Sequence, residues 1–458
     1  MTEQTIESRS PQDPSDVVVR VADTPVDRVA VAAREARLAG TSWAREPAHT
    51  RAAALHACAQ ALAAASGELT ALVVREVGKP VTEAGAEVAR GVAILRYFAQ
   101  QALLPEGEVF PPADGVSLLH TRRRPHGLVG LITPWNFPVA IPLWKAAPAL
   151  AFGNAVLLKP APQSPAVALR LAELFADALP DGVLRVVTGL GATGEAVVDA
   201  ADAVSFTGSV PAGRAVARRA VGRGVPVQCE MGGQNAAVVL PDADQDAAAA
   251  AIAAAAMGYA GQKCTATSRV IVVGNPEPFA QRLAAAVEAL PFGDPADPGT
   301  VVGPVVERRP RDAIRAAVRR VTGGGARLLT GTRQPDGDGW FQAPTVLADV
   351  PAGDDLLREE YFGPVCAVLP AGSVDEAVRL ANEVRHGLVA AVYTRELNAA
   401  LTLADRLDVG MVKVNAPTSG VDFHAPFGGA KESSYGPREQ GPAARDFYTR
   451  TVTVTLSP

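Results

Sequence analysis

The sequence predicts an α/β protein built from two doubly wound parallel sheets and a small β ribbon. Three observations predict this fold class. Apolar residues recur at helical spacing through the first hundred residues, short apolar strands then alternate with helices, and the chain closes on the β-branched segment FYTRTVTVTL. Short buried strands separated by helices of about 10–15 residues are typical of parallel sheets covered on both faces.

The N-terminal region is predicted to be helical. Apolar and alanine side chains repeat with a spacing of three and four residues, and glycine or proline breaks at Gly40, Gly67 and 78–80 separate the repeats. The predicted helices are 26–38, 49–65, 68–77 and 81–102.

A first alternating set follows an exposed strand predicted at 116–124. Its buried strands are separated by amphipathic helices, so that all the strands can run in one direction. The predicted strands are 127–133, 155–159, 183–188, 203–207 and 225–229, and the predicted helices are 164–179, 192–200 and 211–222.

A second alternating set predicts another parallel sheet, joined to the first near 230–233. The segment 323–339 is rich in glycine and polar residues and is predicted to be a surface loop. The predicted strands are 236–240, 269–273, 365–369, 388–393 and 411–414, and the predicted helices are 246–258, 278–289, 374–382 and 399–407.

The last segment, 447–456, alternates like a strand that is too long to be left as a free edge. Together with 116–124 it could form a ribbon that pairs with another subunit. An ordinary edge strand within its own sheet fits the same pattern equally well.

Composition limits the class of protein. The 458 residues are 48% hydrophobic and 20% charged, which excludes an extended disordered chain. The net charge of −5 gives no reason to expect nucleic acid or an anionic membrane as a partner. None of the four cysteines forms a C-x-x-C pair, so neither a disulfide framework nor a metal site is expected. The polar N-terminus lacks an export signal, and a cytoplasmic location is expected.

Among the cysteines, Cys264 is the best candidate for a nucleophile. It lies in the loop GQKCT between an alanine-rich helix and a strand. A cysteine beside Lys263 and flanked by small residues has surroundings that lower the pKa of a thiol. No histidine accompanies it in a recognisable pattern, which disfavours a protease-like dyad.

Two further segments suit catalysis and phosphate binding. Glu230 ends a predicted strand at the junction of the two sheets, followed by glycines, and a carboxylate there could act as a base on water. A buried, ion-paired glutamate is the alternative. Gly208 and Ser209 join a strand to a helix, where free N–H groups attract phosphate.

Seven segments resemble the signatures of the NAD(P)-dependent aldehyde dehydrogenase superfamily, and they occur in the family's order and spacing. They are TPWNFP at 133–138, LKPA at 158–161, FTGS at 206–209, EMGG at 230–233, GQKCT at 261–265, EEYFGP at 359–364 and PFGG at 426–429. The tail 431–441 and the GQKCT loop look more like the branch of α-ketoglutarate-semialdehyde (2,5-dioxovalerate) dehydrogenases.

The resemblance implies a covalent mechanism for the oxidation of an aldehyde, or a semialdehyde, to the carboxylic acid. Cys264 would attack the carbonyl, and the Asn136 amide with the Cys264 backbone N–H would hold the oxyanion. Hydride transfer to the nicotinamide would leave a thioester, which Glu230 would hydrolyse by activating water. Lys145 would support a proton path from Glu230.

The resemblance also implies a cofactor cleft and a substrate tunnel. For the tunnel it implies Phe137, Trp144, Tyr259 and Phe427. The residues implied for the cofactor are Thr133, Pro134, Trp135, Lys159, Phe206, Thr207, Gly208, Ser209, Gly213, Gly232, Glu360 and Phe362.

The choice between NAD and NADP stays open. In family members that prefer NAD, a glutamate commonly follows three residues after the cofactor lysine, and this chain has Pro162 there. A carboxylate at that position would repel the 2′-phosphate of NADP, so its absence removes one barrier to NADP.

The resemblance further divides the chain. Residues 1–108 and 127–232 would bind the dinucleotide, 233–440 would carry the catalytic cysteine, and 109–126 with 445–458 would form strands of a homodimer or homotetramer. Two other functions compete: a CoA-acylating dehydrogenase, in which CoA resolves the thioester, and a non-catalytic protein that keeps the fold. Glu230 argues against the first, and the joint presence of Cys264 and Asn136 against the second.

Overall fold

The computed structural model describes residues 5–335 and 337–458. In chain order its helices are α1 Val26–Trp43, α2 Ala48–Ala64, α3 Ser66–Val77, α4 Val81–Gln101, α5 Ala140–Ala151, α6 Pro165–Phe175, α7 Gly191–Ala200, α8 Val210–Gly222, α9 Gln245–Met257, α10 Glu277–Glu288, α11 Arg308–Gly323, α12 Val374–Asn382, α13 Leu397–Arg406 and α14 Ala443–Tyr448. Eleven of these helices correspond to predicted ones, and α5, α11 and α14 were not predicted.

The strands are short, and those of the two large sheets are mostly buried. In chain order they are β1 Thr5–Arg9, β2 Val17–Ala22, β3 Val109–Phe110, β4 Leu118–Pro125, β5 Leu128–Ile132, β6 Ala155–Lys159, β7 Leu184–Val186, β8 Ala203–Thr207, β9 Val227–Glu230, β10 Asn235–Val239, β11 Thr267–Val273, β12 Arg327–Thr330, β13 Thr345–Ala348, β14 Val365–Ala371, β15 His386–Gly387, β16 Val389–Tyr393, β17 Met411–Val414, β18 Ala430–Lys431, β19 Ser434–Tyr435 and β20 Thr449–Leu456.

The first large sheet has the strand order β19-β9-β8-β5-β6-β7. All neighbours in it are parallel except the short β19, which pairs antiparallel with β9. The carboxyl ends of β5, β6, β8 and β9 therefore meet at one edge of the sheet. Helices cover both faces, so the strands carry continuous apolar runs rather than alternating ones.

The second large sheet has the order β12-β13-β14-β11-β10-β16-β17, and only β12 runs antiparallel to its neighbour. Its strand β10, which lies between β11 and β16, follows directly on the first sheet, since β9 ends at Glu230 and β10 begins at Asn235. Both sheets are doubly wound, which confirms the predicted fold class.

The predicted β ribbon, formed by the last segment of the chain and the strand near residue 120, is also present. β20 pairs antiparallel with β4 from Thr449 to Leu456, and β3 lies on the other side of β4. The predicted strand 447–456 begins two residues later than expected, because Phe447 and Tyr448 close helix α14 and are buried in the core.

One local prediction was wrong. The segment 323–339 is not only a surface loop: it closes helix α11 and contains strand β12, which pairs with β13. The N-terminus carries the hairpin β1–β2, which the sequence analysis did not predict. Its strands are short and flanked by proline and aspartate, so their alternation is too weak to read alone.

No single helix in residues 5–335 and 337–458 is long and apolar enough to cross a membrane. Helices α2 and α3 reach that length and composition only when counted together, across a bend of 70°.

A buried ion pair ties helix α4 to the start of helix α5. The Glu87 carboxylate accepts from the Lys79 ammonium and from the backbone N–H groups of Val139 and Ala140, at 2.8 and 2.9 Å. Lys79 is fully buried and lies 3.8 Å from the centre of the Phe137 ring. Because these charges are out of water, each depends on the other for solvation.

We therefore expect Glu87→Ala to destabilise the protein by about 3–5 kcal/mol, because it leaves a buried, unpaired ammonium. Thermal unfolding followed by circular dichroism measures the loss as a lower melting temperature. The control is Glu68→Ala, whose carboxylate pairs with Arg170 at the surface. A solvent-exposed pair contributes little to stability, so equal losses in both variants would contradict the argument.

Candidate active site

The loop that carries Cys264 begins with an unusual turn. Tyr259, Ala260 and Gly261 all have positive φ, at 55°, 52° and 66°. Such left-handed geometry costs roughly 1–2 kcal/mol for a residue with a Cβ. At Gly261 no side chain is tolerated, since a Cβ would lie 2.2 Å from the carbonyl oxygen of Gly363. The turn ends the alanine-rich α9 and redirects the chain.

Backbone and side-chain hydrogen bonds fix this loop. The fully buried Gln262 donates to the carbonyls of Tyr259 and Pro304 and accepts from the N–H of Val306. The Asn235 amide donates to the Cys264 carbonyl at 2.8 Å. Cys264 is thus held from both sides, and its half-buried side chain reaches a cavity of about 190 Å³.

The expectation that Lys263 lowers the pKa of the Cys264 thiol was wrong. Burial raises that pKa above its ordinary value, and the nearby carboxylates of Glu360 and Glu230 raise it further. Lys263 does not offset this, because its ammonium pairs with Glu83 at 2.9 Å. Lys263 is next to Cys264 in the sequence, but its side chain points toward Glu83 and not toward the thiol.

Asn136 lies beside the cysteine loop, as predicted. Its side-chain amide donates to the Gln262 carbonyl at 2.9 Å, and the residue is 3% exposed. A primary amide has two N–H donors, so one remains for an oxygen bound next to Cys264.

Glu230 ends β9 and is buried. Burial raises the pKa of its carboxyl well above the ordinary value, and the charge of Glu439 raises it further. The Ser434 hydroxyl, which donates to Glu230 Oε2 at 2.6 Å, opposes this shift, as does the charge of Lys145. The charge of Glu230 also acts on the Cys264 thiol, so the two predicted catalytic groups lie in one electrostatic environment.

Glu439 belongs to this cluster and was not predicted. Its carboxylate is 2% exposed and accepts from the Trp144 indole at 2.9 Å, the Lys145 ammonium and the Ser205 hydroxyl. Lys145 also donates to Ser205 at 2.7 Å. The sequence signal was present, since Glu439 lies in the tail used only to assign the branch, but its distance of 209 residues from Glu230 hid the contact.

Most of the residues predicted for the cofactor lie at or just after the carboxyl ends of β5, β6, β8 and β9, where parallel sheets bind their ligands. Within the described chain, the buried hydroxyls of Thr133 and Thr207 have no hydrogen-bond partner. Lys159 is 6% exposed, its ammonium donates to the Pro160 carbonyl, and burial lowers its pKa to about 8. Unused donors of this kind fit the hydroxyl groups of a nucleotide.

The turn after β8 has the shape expected of a phosphate site. Ser209 precedes α8 and makes no side-chain cap with it, so its exposed hydroxyl stands beside the N–H groups of the first turn. A Cβ at Gly208 would lie 2.7 Å from the Phe206 ring, and one at Gly213 would lie 2.5 Å from the Met231 sulfur. These glycines keep the helix close to the sheet and leave its N-terminus accessible.

The remaining cofactor candidates meet where the two sheets join. Gly233 N–H donates to Glu360 at 3.1 Å, and a Cβ at Gly232 would lie 1.7 Å from the same carboxylate. Burial raises the pKa of Glu360 to about 7. The half-buried rings of Trp135 and Phe362 meet edge to face with centres 5.6 Å apart. Pro134 precedes that tryptophan in the same turn.

A cavity beside Cys264 brings together most of the residues predicted for the tunnel. Three of the four aromatic residues assigned to it line its wall: Phe137, Trp144 and Phe427. The fourth, Tyr259, is fully buried in the core and its hydroxyl donates to the Val77 carbonyl, so the structure does not bring it to the tunnel. Residues 83–90 of α4, which were not predicted to take part, form the opposite wall.

No group of three or more histidine, cysteine, aspartate or glutamate side chains in residues 5–335 and 337–458 is arranged to hold a metal ion.

Comparison with known proteins identifies the family. The profile of the aldehyde dehydrogenase family matches residues 1–454. The chain is 38% identical to an alpha-ketoglutaric semialdehyde dehydrogenase of Bacillus subtilis, across 99% of this chain and 95% of the relative. It is 39% identical to an alpha-ketoglutarate semialdehyde dehydrogenase of Haloferax volcanii, across 99% of this chain and 96% of the relative.

The fold agrees with this assignment. The crystal structure of an aldehyde dehydrogenase from Bacillus cereus in complex with NAD+ superposes with a TM-score of 0.95 at 32% identity, covering 99% of this chain and 93% of that one. The protein is an enzyme that oxidises an aldehyde to the carboxylic acid with a nicotinamide dinucleotide. The chain belongs to the aldehyde dehydrogenase family.

Proposed function

We propose that this aldehyde dehydrogenase acts on a semialdehyde, through a covalent thioester on Cys264 that Glu230 hydrolyses. One observation carries the proposal. The Cys264 side chain reaches the tunnel, its loop is bonded to Asn136, and its thiol shares an electrostatic environment with Glu230.

Cys264 and Asn136 perform the first step. The Cys264 thiol, whose pKa is raised, first loses its proton to solvent water. The thiolate sulfur then bonds to the aldehyde carbon, and the carbonyl π electrons move to oxygen to give an oxyanion. The free N–H of the Asn136 amide and the Cys264 backbone N–H stabilise that charge. Losing one such donor costs about 2.7–4 kcal/mol of transition-state stabilisation.

Glu230 performs the last step. As a carboxylate it takes a proton from water while the water oxygen bonds to the thioester carbon, and the carbon–sulfur bond then breaks to release the acid. Its raised pKa makes it a stronger base than an exposed glutamate. The buried group of Lys145, Ser205 and Glu439 adjoins Glu230 and supplies a route by which the proton leaves.

The cofactor is assigned to the carboxyl edge of the first sheet. Lys159 would bind the adenosine ribose, Ser209 with the N-terminus of α8 the pyrophosphate, and Glu360 with Phe362 the nicotinamide riboside. The oxidised nicotinamide accepts hydride from the substrate carbon when it is bound. We propose that NADP is accepted beside NAD, because Pro162 presents no carboxylate to a 2′-phosphate.

The names of the relatives favour the substrate class. Both relatives compared above are described as dehydrogenases of alpha-ketoglutarate semialdehyde, and the matches extend over almost the whole of each chain. A CoA-dependent reaction is disfavoured, because Glu230 supplies the base that such enzymes lack.

We propose that the enzyme is a homo-oligomer assembled through the ribbon. Strand β20 has one edge without a partner over eight residues within the described chain. Apolar side chains of the three-stranded ribbon are exposed, Val109 in β3 by 74%, Leu118 in β4 by 47% and Leu456 in β20 by 55%. A long exposed edge with apolar side chains is stable in solution when a second chain covers it.

The proposal predicts the outcome of an aldehyde screen. The purified enzyme should reduce NAD+ or NADP+ with 5-oxopentanoate as substrate. It should release one molecule of free glutarate for each molecule of cofactor reduced, with or without CoA. Absorbance at the wavelength of the reduced cofactor and analysis of the product measure both quantities. A product that is acyl-CoA, or the absence of turnover with every aldehyde and both cofactors, would contradict it.

A further inference from the structure

One arginine on helix α4 faces the substrate tunnel. Glu83, Glu87 and Arg90 recur at helical spacing on the same side of α4, and all three line the cavity that Cys264 reaches. Arg90 is half-buried. The helix therefore presents a guanidinium to the space through which the aldehyde must pass.

The carboxylates on this wall are already neutralised. Glu83 pairs with Lys263 at 2.9 Å, and Glu87 pairs with the buried Lys79. Each carboxylate thus has its own ammonium. The positive charge of Arg90 is therefore not balanced by either of these two carboxylates.

Arg90 has unused donors. Its Nη1 donates to the carbonyl of Val421 in the loop that closes the tunnel, which fixes the direction of the guanidinium. Among residues 5–335 and 337–458, no carboxylate lies within 4 Å of it. A guanidinium has five N–H donors in a planar fork that matches a carboxylate.

The rest of the wall is mostly apolar, with Phe137, Ile141, Val421 and Phe427 among its members. A half-buried cation beside such groups is screened less than one in bulk water. An anion that enters the cavity would therefore form a strong, charge-assisted pair with Arg90.

We propose that Arg90 binds a carboxylate at the far end of the substrate and thereby selects aldehydes that carry one. The inference rests on the proposed function, in which Cys264 attacks the aldehyde at the inner end of the same tunnel. It names the side chain that distinguishes a semialdehyde from a neutral aldehyde of the same length.

Paired substrates test this role. The wild-type enzyme should prefer 5-oxopentanoate to pentanal in kcat/KM. In Arg90→Met we expect kcat/KM for 5-oxopentanoate to fall by about 10- to 100-fold, mainly through KM, as for the loss of a charged hydrogen bond. The value for pentanal should change less than about threefold, and Arg90→Lys should recover part of the loss.

The control is Arg96→Met, which removes an exposed arginine from the same helix. It should leave both substrates unaffected. Glutarate should inhibit the oxidation of pentanal by the wild-type enzyme and inhibit Arg90→Met about tenfold less, a measurement that needs no turnover of the semialdehyde.

The two possible failures are distinguishable. If the wild-type enzyme oxidises neither aldehyde, the proposed function is wrong. If it oxidises both and Arg90→Met loses equally on both, or keeps its preference for 5-oxopentanoate, the role of Arg90 is wrong while the function stands. Melting temperatures of Arg90→Met and Arg90→Lys close to that of the wild type establish that the kinetic comparison is made between folded proteins.

Discussion

Replacing Cys264 by alanine is expected to reduce aldehyde oxidation by about 10,000-fold or more, because the covalent step has no other nucleophile. The side chain is half-buried and alanine is smaller, so the fold should survive. Steady-state reduction of the cofactor with 5-oxopentanoate measures the loss. Binding of the dinucleotide, measured by fluorescence quenching, should be retained.

Cys366 supplies the matched control. It is buried in strand β14 of the second sheet, away from the tunnel, and Cys366→Ala should keep most of the activity. An active Cys264→Ala variant, or equal losses in the two variants, would refute the covalent mechanism. Mass spectrometry adds an independent readout, since an acyl adduct should be found on Cys264 of the wild-type enzyme and of Cys366→Ala, and should be absent from Cys264→Ala.

Replacing Glu230 by glutamine is expected to lower the steady-state rate by about 100- to 10,000-fold, the usual contribution of a general base. Hydride transfer precedes hydrolysis, so the variant should still release a burst of reduced cofactor of about one per active site. Stopped-flow absorbance measures the burst and the steady rate in the same trace.

The pH profile supplies a second readout. In the wild-type enzyme, Glu230 must lose its proton to act, and its pKa is raised, so the hydrolytic rate should rise with pH through that pKa. In Glu230→Gln this rise should disappear. The surface variant Glu68→Ala should show the wild-type burst and profile. A Glu230→Gln enzyme with an unchanged steady rate would remove this residue from the mechanism.

The sequence predicted the backbone of the site better than its side-chain contacts. Glu230 and the cofactor residues follow buried strands of one parallel sheet, so strand periodicity alone brings them to one edge. Asn136 and Cys264 were predictable because they lie in segments, TPWNFP and GQKCT, that resemble signatures of the family. The contact between Lys145 and Glu439 joins segments 294 residues apart, and no local pattern encodes such a pair.

Side-chain direction accounts for the errors at the site. Lys263 adjoins the nucleophile in sequence, yet its ammonium turns toward Glu83 and leaves the thiol without a cation. Tyr259 precedes the nucleophile by five residues, yet the left-handed turn directs its ring into the core. Arg90 was missed for the converse reason: helix periodicity shows which face it shares, but not that this face meets the tunnel.

The left-handed turn at residues 259–261 has a consequence for how the enzyme becomes active. Its geometry is held by distant segments, through the Tyr259 hydroxyl on Val77, the Tyr259 N–H on Val301 and the close approach of Gly261 to Gly363. The nucleophile is therefore not preformed in the newly made chain. We expect the enzyme to become catalytically active only after these remote segments have docked. A partly folded molecule with both sheets formed but this turn not yet fixed should therefore have no catalytic activity.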